Sequence, residues 1–364
     1  MIEVYPFTGS VASASQCAPG AARKHCLRKP WIALLLLCMW LVLSHCGGDD
    51  NASNKDQDTQ SSFLFGVVSD THTMADANAP ENQIFSYTIQ VMNEHKPPID
   101  FVVITGDTVD SLPSDDPGYY DQNVNTALDQ LIYLKTELTM PVYLVLGNHD
   151  YYTGNCILPI PTRKKEAREH LFMEKVGLPG PYYVFEHRGV KFYCLNSMQK
   201  DPMVRWEPNA VGTLGPEQIS WLRDQLSDNK PAFFFHHHAL ATDVTTRAGF
   251  ARLTPFEIPR ADGNFAKYMI GPYHGYTDPV YDILKDHNEQ IRAVFFGHSH
   301  LFLRDEYEGI PIFMTESTHF PSQAEYDGRP MRYHIVECQA HTGDFTIYND
   351  YMIPYLNESA HTVY

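Results

Sequence analysis

Five short polar clusters, each following an apolar run, hold the residues whose types suit chemistry. Ser69-Asp70-Thr71-His72 follows FLFGVV, and Gly106-Asp107-Thr108-Val109-Asp110 follows FVVIT. Gly147-Asn148-His149-Asp150 follows VYLVL, His236-His237-His238 follows AFFF, and Gly297-His298-Ser299-His300 follows AVFF. Carboxylates, an amide and imidazoles are donors that suit Mn, Fe, Zn or Co and suit Ca poorly. Cysteine spacing offers no zinc–thiolate site. Each cluster alone has a plainer reading. Asp and Asn after a strand make turns or cap helices, and a buried histidine can be a core filler with one hydrogen bond. His298 and His300 stand out because alternate residues of an extended segment share a face. The recurrence of five clusters, in order and similarly placed, is what favours one shared site.

The elements that must position them follow from the apolar pattern. FLFGVV (63–68), FVVIT (101–105), VYLVL (142–146), KFYCLN (191–196), AFFF (232–235) and AVFF (293–296) read as strands. QIFSYTIQVMNEH (83–95), NTALDQLIYLKTEL (125–138) and GPEQISWLRDQLSD (215–228) read as helices, and 304–317 as a hairpin turning at Glu308-Gly309. Continuous apolar strands separated by helices predict an α/β fold with sheets covered on both faces. In such folds ligands bind beyond the carboxyl ends of strands, which is where all five clusters fall. Stretches 151–180 and 239–277 show neither pattern and are expected to be irregular insertions.

The series Asp70-x-His72, Gly106-Asp107, Gly147-Asn148-His149-Asp150, a histidine after a strand, and Gly297-His298-x-His300 resembles the calcineurin-like metallophosphoesterase family. The likeness runs from about residue 70 to 300. It implies a four-layer α/β/β/α sandwich of two mixed sheets with a dinuclear metal site at the strand C-terminal ends. It implies Asp107 as the bridge between two divalent transition-metal ions. Asp70, His72 and His300 would complete one site; Asn148, His237 and His298 would complete the other. His237 is singled out because His237-His238-Ala239-Leu240 aligns with the family's strand-His-His-Pro-Leu context. The plainer reading of His236 and His238 is structural support.

By the same resemblance, a metal-bridging hydroxide attacks phosphorus in line, and His149 binds a phosphoryl oxygen or protonates the leaving alkoxide. Asp150 would orient the His149 imidazole, or else cap the segment that follows. Relatives using Fe(III) carry a tyrosine where Asp110 stands, so no iron–tyrosinate pair is implied. The implied substrate is a small phosphate ester, phosphodiesters slightly favoured over monoesters. Its contacts are unassigned; Tyr151, Tyr152, Tyr273, Arg247, Arg252 and Arg260 are available in the irregular segments. A non-catalytic envelope lipoprotein that binds metal or ligand is the reading from another class. A pure carrier has no need of His149.

The N-terminus suggests where the chain works. Basic ARKHCLRKP precedes WIALLLLCMWLVL (31–43), short for a membrane span and suited to a signal-peptide core. Leu43-Ser44-His45-Cys46 resembles a bacterial lipoprotein cleavage box with Cys46 as the lipid-attachment residue, although His45 replaces the usual small residue. A signal anchor or plain secretory signal is the other reading. The expected layout is a signal segment at 1–46, a polar flexible tether at 47–62, a catalytic domain at 63–350 and a tail at 351–364. Membrane attachment in the cell envelope, periplasmic or at the outer surface, follows from it. Setting aside Arg23, Lys24, Arg28, Lys29 and Glu3 leaves 23 basic against 43 acidic residues, a formal −20. A surface that acidic repels a nucleic-acid backbone. Cys156, Cys194 and Cys338 leave room for at most one disulfide.

Overall fold

The computed structural model describes residues 61–110, 117–151, 162–203, 212–242, 269–270, 277–300, 302–318 and 331–348, with the backbone of 352–353, 356–357 and 362–363. The expected signal segment with Cys46, nearly all of the tether, Cys156, and Tyr152, Arg247, Arg252, Arg260 and Tyr273 lie outside the described residues. Among the described residues no helix is long and apolar enough to cross a membrane.

The chain opens with β1 (Ser62–Val68), α1 (Pro80–Glu94), β2 (Phe101–Thr105), α2 (Pro117–Thr136), β3 (Val142–Val145), α3 (Asn148–Tyr151) and α4 (Thr162–Val176). Next come β4 (Tyr183–His187), β5 (Val190–Cys194), α5 (Pro216–Leu226), β6 (Ala232–Phe235), β7 (Ala239–Leu240), β8 (Met269–Ile270) and α6 (Val280–Asp286). β9 (Ile291–Phe296), β10 (Leu303–Tyr307), β11 (Ile310–Met314), β12 (Met331–Arg332), β13 (His334–Gln339) and β14 (Phe345–Tyr348) follow. A five-stranded sheet has the order β14-β13-β1-β2-β3, and a six-stranded sheet the order β10-β11-β9-β6-β5-β4. β1, β2 and β3 are parallel in the first sheet, and β5, β6, β9 and β11 in the second. Their carboxyl ends therefore point one way within each sheet.

Side-chain alternation assembles the layers. Phe233 and Phe235 of β6 join a core that also holds Phe65 and Phe101 of the first sheet, while Ala232 and Phe234 join a core with α5 and α6. Phe65 meets Phe233 edge to face at 5.4 Å and stacks on Phe101 at 5.3 Å. The first core also takes in Ile84, Ile89, Leu128 and Leu131 from α1 and α2. Helix, sheet, sheet, helix is the resulting order, a mixed α/β fold with two mixed sheets. The hairpin turns where expected. Tyr307 pairs with Ile310, and Glu308 (φ 51°) and Gly309 (φ 83°) make the two-residue turn with positive φ that such hairpins favour.

Several expectations need correction. The stretch 151–180 contains α4, whose charged sequence TRKKEAREHLFMEKV hides a thin buried edge at Phe172 and Val176. The stretch 239–277 contains a short parallel pair, β7 with β8. β1 begins at Ser62, inside the stretch read as tether. Residues 351–364 include Met352–Ile353, which pairs antiparallel with β12. Cys194 and Cys338 are buried free thiols, which agrees with the expectation of at most one disulfide.

Candidate metal centre

The backbone at the strand ends is folded back on itself. Asp70 (φ 51°), His72 (φ 44°), Asp107 (φ 48°), His298 (φ 70°) and His300 (φ 51°) are all left-handed. Such conformations cost about 1–3 kcal/mol each in a non-glycine residue and persist only where the surroundings over-determine them. Here they are over-determined. Asp70 N donates to Gly106 O (3.0 Å), His72 N to Asp107 O (2.9 Å), and Asp110 N to Thr73 O (3.0 Å), lacing the first two loops together. His298 N donates to the Asp70 carboxylate (3.1 Å), and Gly297 N to His237 O (3.0 Å), tying in the second sheet. Ser317 Oγ donates to Asp70 O (2.8 Å). Gly106 (φ 95°) lies so close that a Cβ there would sit 2.4 Å from His237 Nδ1; one at Gly147 would sit 2.3 Å from Asp107 Oδ1.

This lacing brings the donors together. Asp70, His72 and His300 form one group whose ligand atoms lie within 4.8 Å of one another. Asp107, His237 and His298 form another, and Asp107 also groups with His72 and His149. Asp107 Oδ2 is 3.1 Å from His237 Nε2 and 3.9 Å from His72 Nε2, so its carboxylate faces both sides. Asp107 Oδ1 accepts from His149 N (2.8 Å). Asn148 Oδ1 is 3.0 Å from His237 Nε2. His300 Nε2 is 3.3 Å from Asp70 Oδ1.

The pivotal ring is His237, which is fully buried. Its Nδ1 is 2.9 Å from Thr105 O. A carbonyl only accepts, so that nitrogen carries the proton and Nε2 presents a lone pair. Around Nε2 stand Asp107 Oδ2 (3.1 Å), Asn148 Oδ1 (3.0 Å) and His298 Nδ1 (3.0 Å). The Asp107 and Asn148 oxygens are acceptors and repel a lone pair at Nε2, so the arrangement calls for positive charge at its middle. A second proton on the ring is one answer. Burial opposes it, but Asp107 and Asp70 outweigh that and hold the His237 pKa up at about 9. A divalent cation would be the other answer, and Asp107, Asn148, His237 and His298 are residues that would hold one. The carboxylates are ready for either. Burial pushes both up, yet His300 beside Asp70 and His237 beside Asp107 prevail, and Asp107 lies well below the usual range. Burial, with His238 and His237 close by, keeps His298 well below the usual imidazole value.

His149 lies at the mouth, its side chain one-third exposed (33%). Its Nε2 is 4.0 Å from Asp107 Oδ2 and its Nδ1 3.2 Å from Asp110 Oδ1. Burial disfavours the imidazolium, but Asp107 and then Asp110 raise it to about 9. Asp150 does not take the place expected for it. Its Oδ1 accepts from Thr108 N (2.8 Å), Thr108 Oγ1 (2.7 Å) and Val109 N (3.1 Å), and its Oδ2 from Gly147 N (2.7 Å). The carboxylate thus clamps the Asp107 loop to the Asn148 loop, and the group that orients His149 is Asp110. Burial and the neighbouring Asp107 raise Asp150 to about 7. Asp110 also stands 3.6 Å from His72 Nδ1. Its place three residues after Asp107 in the same loop was the available signal. Tyr151, a candidate pocket wall, is instead buried, donating to Glu169 Oε1 (2.7 Å) and accepting from Asn196 Nδ2 (2.5 Å).

The flanking histidines have separate surroundings. His236 stacks on Phe296 (5.5 Å, 17°) and places Nδ1 2.7 Å from His238 O; burial holds it down at about 3. His238 Nδ1 lies 2.7 Å from Ser197 Oγ, and its ring packs 4.4 Å from that of His298.

Residues 63–302 match the family of calcineurin-like phosphoesterases, and the chain belongs to that family. It is a metal-dependent phosphoric ester hydrolase with the His and Asp groups such a site requires. Among solved structures, a dimetal phosphatase from Danio rerio is similar at 12% identity and TM-score 0.49, over 79% of this chain and 98% of that one. A putative 5'-nucleotidase from Staphylococcus aureus is similar at 10% identity and TM-score 0.42, over 82% and 56%. A phosphopantetheinyl hydrolase from Mycobacterium tuberculosis is similar at 14% identity and TM-score 0.41, over 72% and 91%. No curated protein matches the chain in sequence.

Proposed function

We propose that the chain hydrolyses small phosphate esters by in-line attack at a two-metal centre, with phosphodiesters slightly favoured over monoesters. The observation that carries this is the convergence of Asp107 Oδ2, Asn148 Oδ1 and His298 Nδ1 on His237 Nε2, next to the group formed by Asp70, His72 and His300. Asp70, His72 and His300 would hold one ion and Asn148, His237 and His298 the other, with Asp107 between them. Two divalent ions supply charge neutralisation at the phosphoryl oxygens and a hydroxide at neutral pH. The protein's own groups do the rest. His149, exposed at the mouth and held cationic by Asp107 and Asp110, donates a hydrogen bond to a phosphoryl oxygen or a proton to the leaving alkoxide. Asp110 fixes the ring by accepting from Nδ1, which leaves Nε2 on the side of Asp107 Oδ2.

The test is direct. Purified protein loaded with Mn²⁺ is assayed on p-nitrophenyl phosphate and bis-p-nitrophenyl phosphate, and its metal content is measured. Two metal ions per chain with faster diester turnover are expected. Fewer than two, however loaded, or no hydrolysis of either ester, overturns the reading.

The proposed place of work is the cell envelope, with the chain held at the membrane through a lipid on Cys46 or a signal anchor. The basic and apolar order of residues 23–46 supports this. Mass analysis of the N-terminal peptide tests it: a diacylglycerol adduct on Cys46 is expected, and a Cys46→Ser protein that stays lipid-modified overturns it.

A further inference from the structure

Three consecutive histidines leave β6, and only His237 joins the proposed ligands. We infer that His236 is a positioning residue for that ligand: its Nδ1–H, donated to the His238 carbonyl, fixes the bend that aims His237 at the centre. The inference rests on the reading of the metal centre given above.

His236 is an odd residue for its place. It is 1% exposed, and its ring lies flat on Phe296 at 5.5 Å and 17°. A leucine or phenylalanine would fill that apolar space without bringing polar atoms into it. Instead Nε2 is buried with no hydrogen-bond partner among the described residues. Burying such a group unsatisfied forfeits the hydrogen bonds it would make to water in the unfolded chain. The other nitrogen makes one bond, 2.7 Å to His238 O. Because a carbonyl only accepts, that bond places the proton on Nδ1.

The bond spans the residue that matters. β6 ends at Phe235, and the bend runs through His237 and His238 before β7 begins at Ala239. On the near side, His236 N donates to Phe295 O (3.1 Å). In the middle, Gly297 N donates to His237 O (3.0 Å). On the far side the His236 ring reaches over His237 to the next carbonyl, a side-chain-to-backbone closure of the kind that stabilises tight bends. The backbone of His237 is thereby held before, at and after its Cα. Its ring is held separately by Thr105 O at 2.9 Å. With both fixed, Nε2 has one direction left, toward Asp107 and Asn148.

Three substitutions isolate the bond. Asparagine carries its amide nitrogen where Nδ1 stands and can still donate. Glutamine carries it one atom further out, at the place of Nε2. Phenylalanine keeps the volume and the stack on Phe296 and donates nothing. Mn²⁺ and Zn²⁺ titrations of the apo-protein are the readout. His236→Asn is expected to bind two ions as the wild type does. His236→Gln and His236→Phe are expected to keep one ion and bind the other about 10–100-fold more weakly, the usual effect of losing a group that orients a ligand. Two undiminished sites in the Gln and Phe variants overturn the inference, as does an Asn variant that falls with them. Should those variants fail to fold, ¹⁵N spectra of the zinc-loaded wild type decide: a proton on His236 Nδ1 protected from exchange upholds the inference. A ring protonated at Nε2, or an unprotected Nδ1 proton, overturns it. A wild type that never takes up a second ion would overturn the centre itself, which is a different result.

Discussion

The two rims of the sandwich both pair aspartate with histidine, and they balance the charge differently. At the amino end of β2, Asp100 accepts from Arg188 Nη2 (3.1 Å), from His187 Nε2 (3.2 Å) and from Leu64 N (3.3 Å). The pair is partly open to water, with side chains 22% and 41% exposed. At the carboxyl end of the same strand, Asp107 is nearly sealed (2% exposed), and its side-chain contacts are with His237, His149 and His72. Asp70, also sealed, meets His300 and His72. Among the described residues neither Asp70 nor Asp107 is paired with an arginine or lysine. A guanidinium settles the charge permanently at one rim. At the other the charge is left to groups that can lose it, which is the condition for admitting exchangeable cations.

The largest break in that contrast comes from Asp107→Asn. It keeps the size and removes the charge that both donor groups share. Turnover is expected to fall by more than about 10³-fold, beyond the middle of the range for losing one acid–base group. Metal content should drop to one ion or none per chain. Elemental analysis beside steady-state assay reads both, and two retained ions would mean that the rims differ in appearance only.

Part of this was legible in the chain. FVVIT and AFFF became β2 and β6 at the expected residues, because continuous apolar runs have one comfortable place, inside a covered sheet. Polar clusters after such runs must then gather at one edge, so the convergence of the candidate ligands could be foreseen. α4 was missed because its buried edge is carried by few residues among many charges. β13 was missed although it lies beside β1 in the first sheet, because its partner is far away in sequence. That Asp110 rather than Asp150 faces His149 was only faintly legible, for another reason. Both are short acids near a strand end, and only the left-handed turn at Asp107, with the loop lacing beneath it, decides which one faces His149.

Smaller effects are expected from the mouth of the centre. His149→Ala should cut turnover about 10²–10⁴-fold while leaving both metal ions bound. Loss of metal in that variant would move His149 among the ligands. Asp110→Asn should cost less, about 10–100-fold, as befits a group that orients another. Its signature is in the pH profile. Asp110 stabilises the charged form of His149, so removing its charge lowers the imidazole pKa. A step that needs the imidazolium is lost as pH rises through that pKa. The alkaline limb of the profile should therefore shift to lower pH in Asp110→Asn, and a limb that stays put would assign it to another group.

The smallest effect belongs to the opposite rim, and there the smallness is the informative part. Arg188→Ala removes the guanidinium from Asp100 and also its packing over Phe63, 5.8 Å from the ring centre. A pair this exposed is worth about 0.2–1 kcal/mol, because water competes for both charges and the arginine loses rotamer freedom in making it. His187 and Leu64 N continue to satisfy the carboxylate, so no buried charge is stranded. Denaturant unfolding should register a loss near that size, and turnover with saturating Mn²⁺ should be unchanged. A large fall in turnover, with stability barely altered, would show the two rims to be coupled through β2. Since Asp107 lies just past the end of that strand, the coupling would have to act by shifting β2 along its axis against β1 and β3.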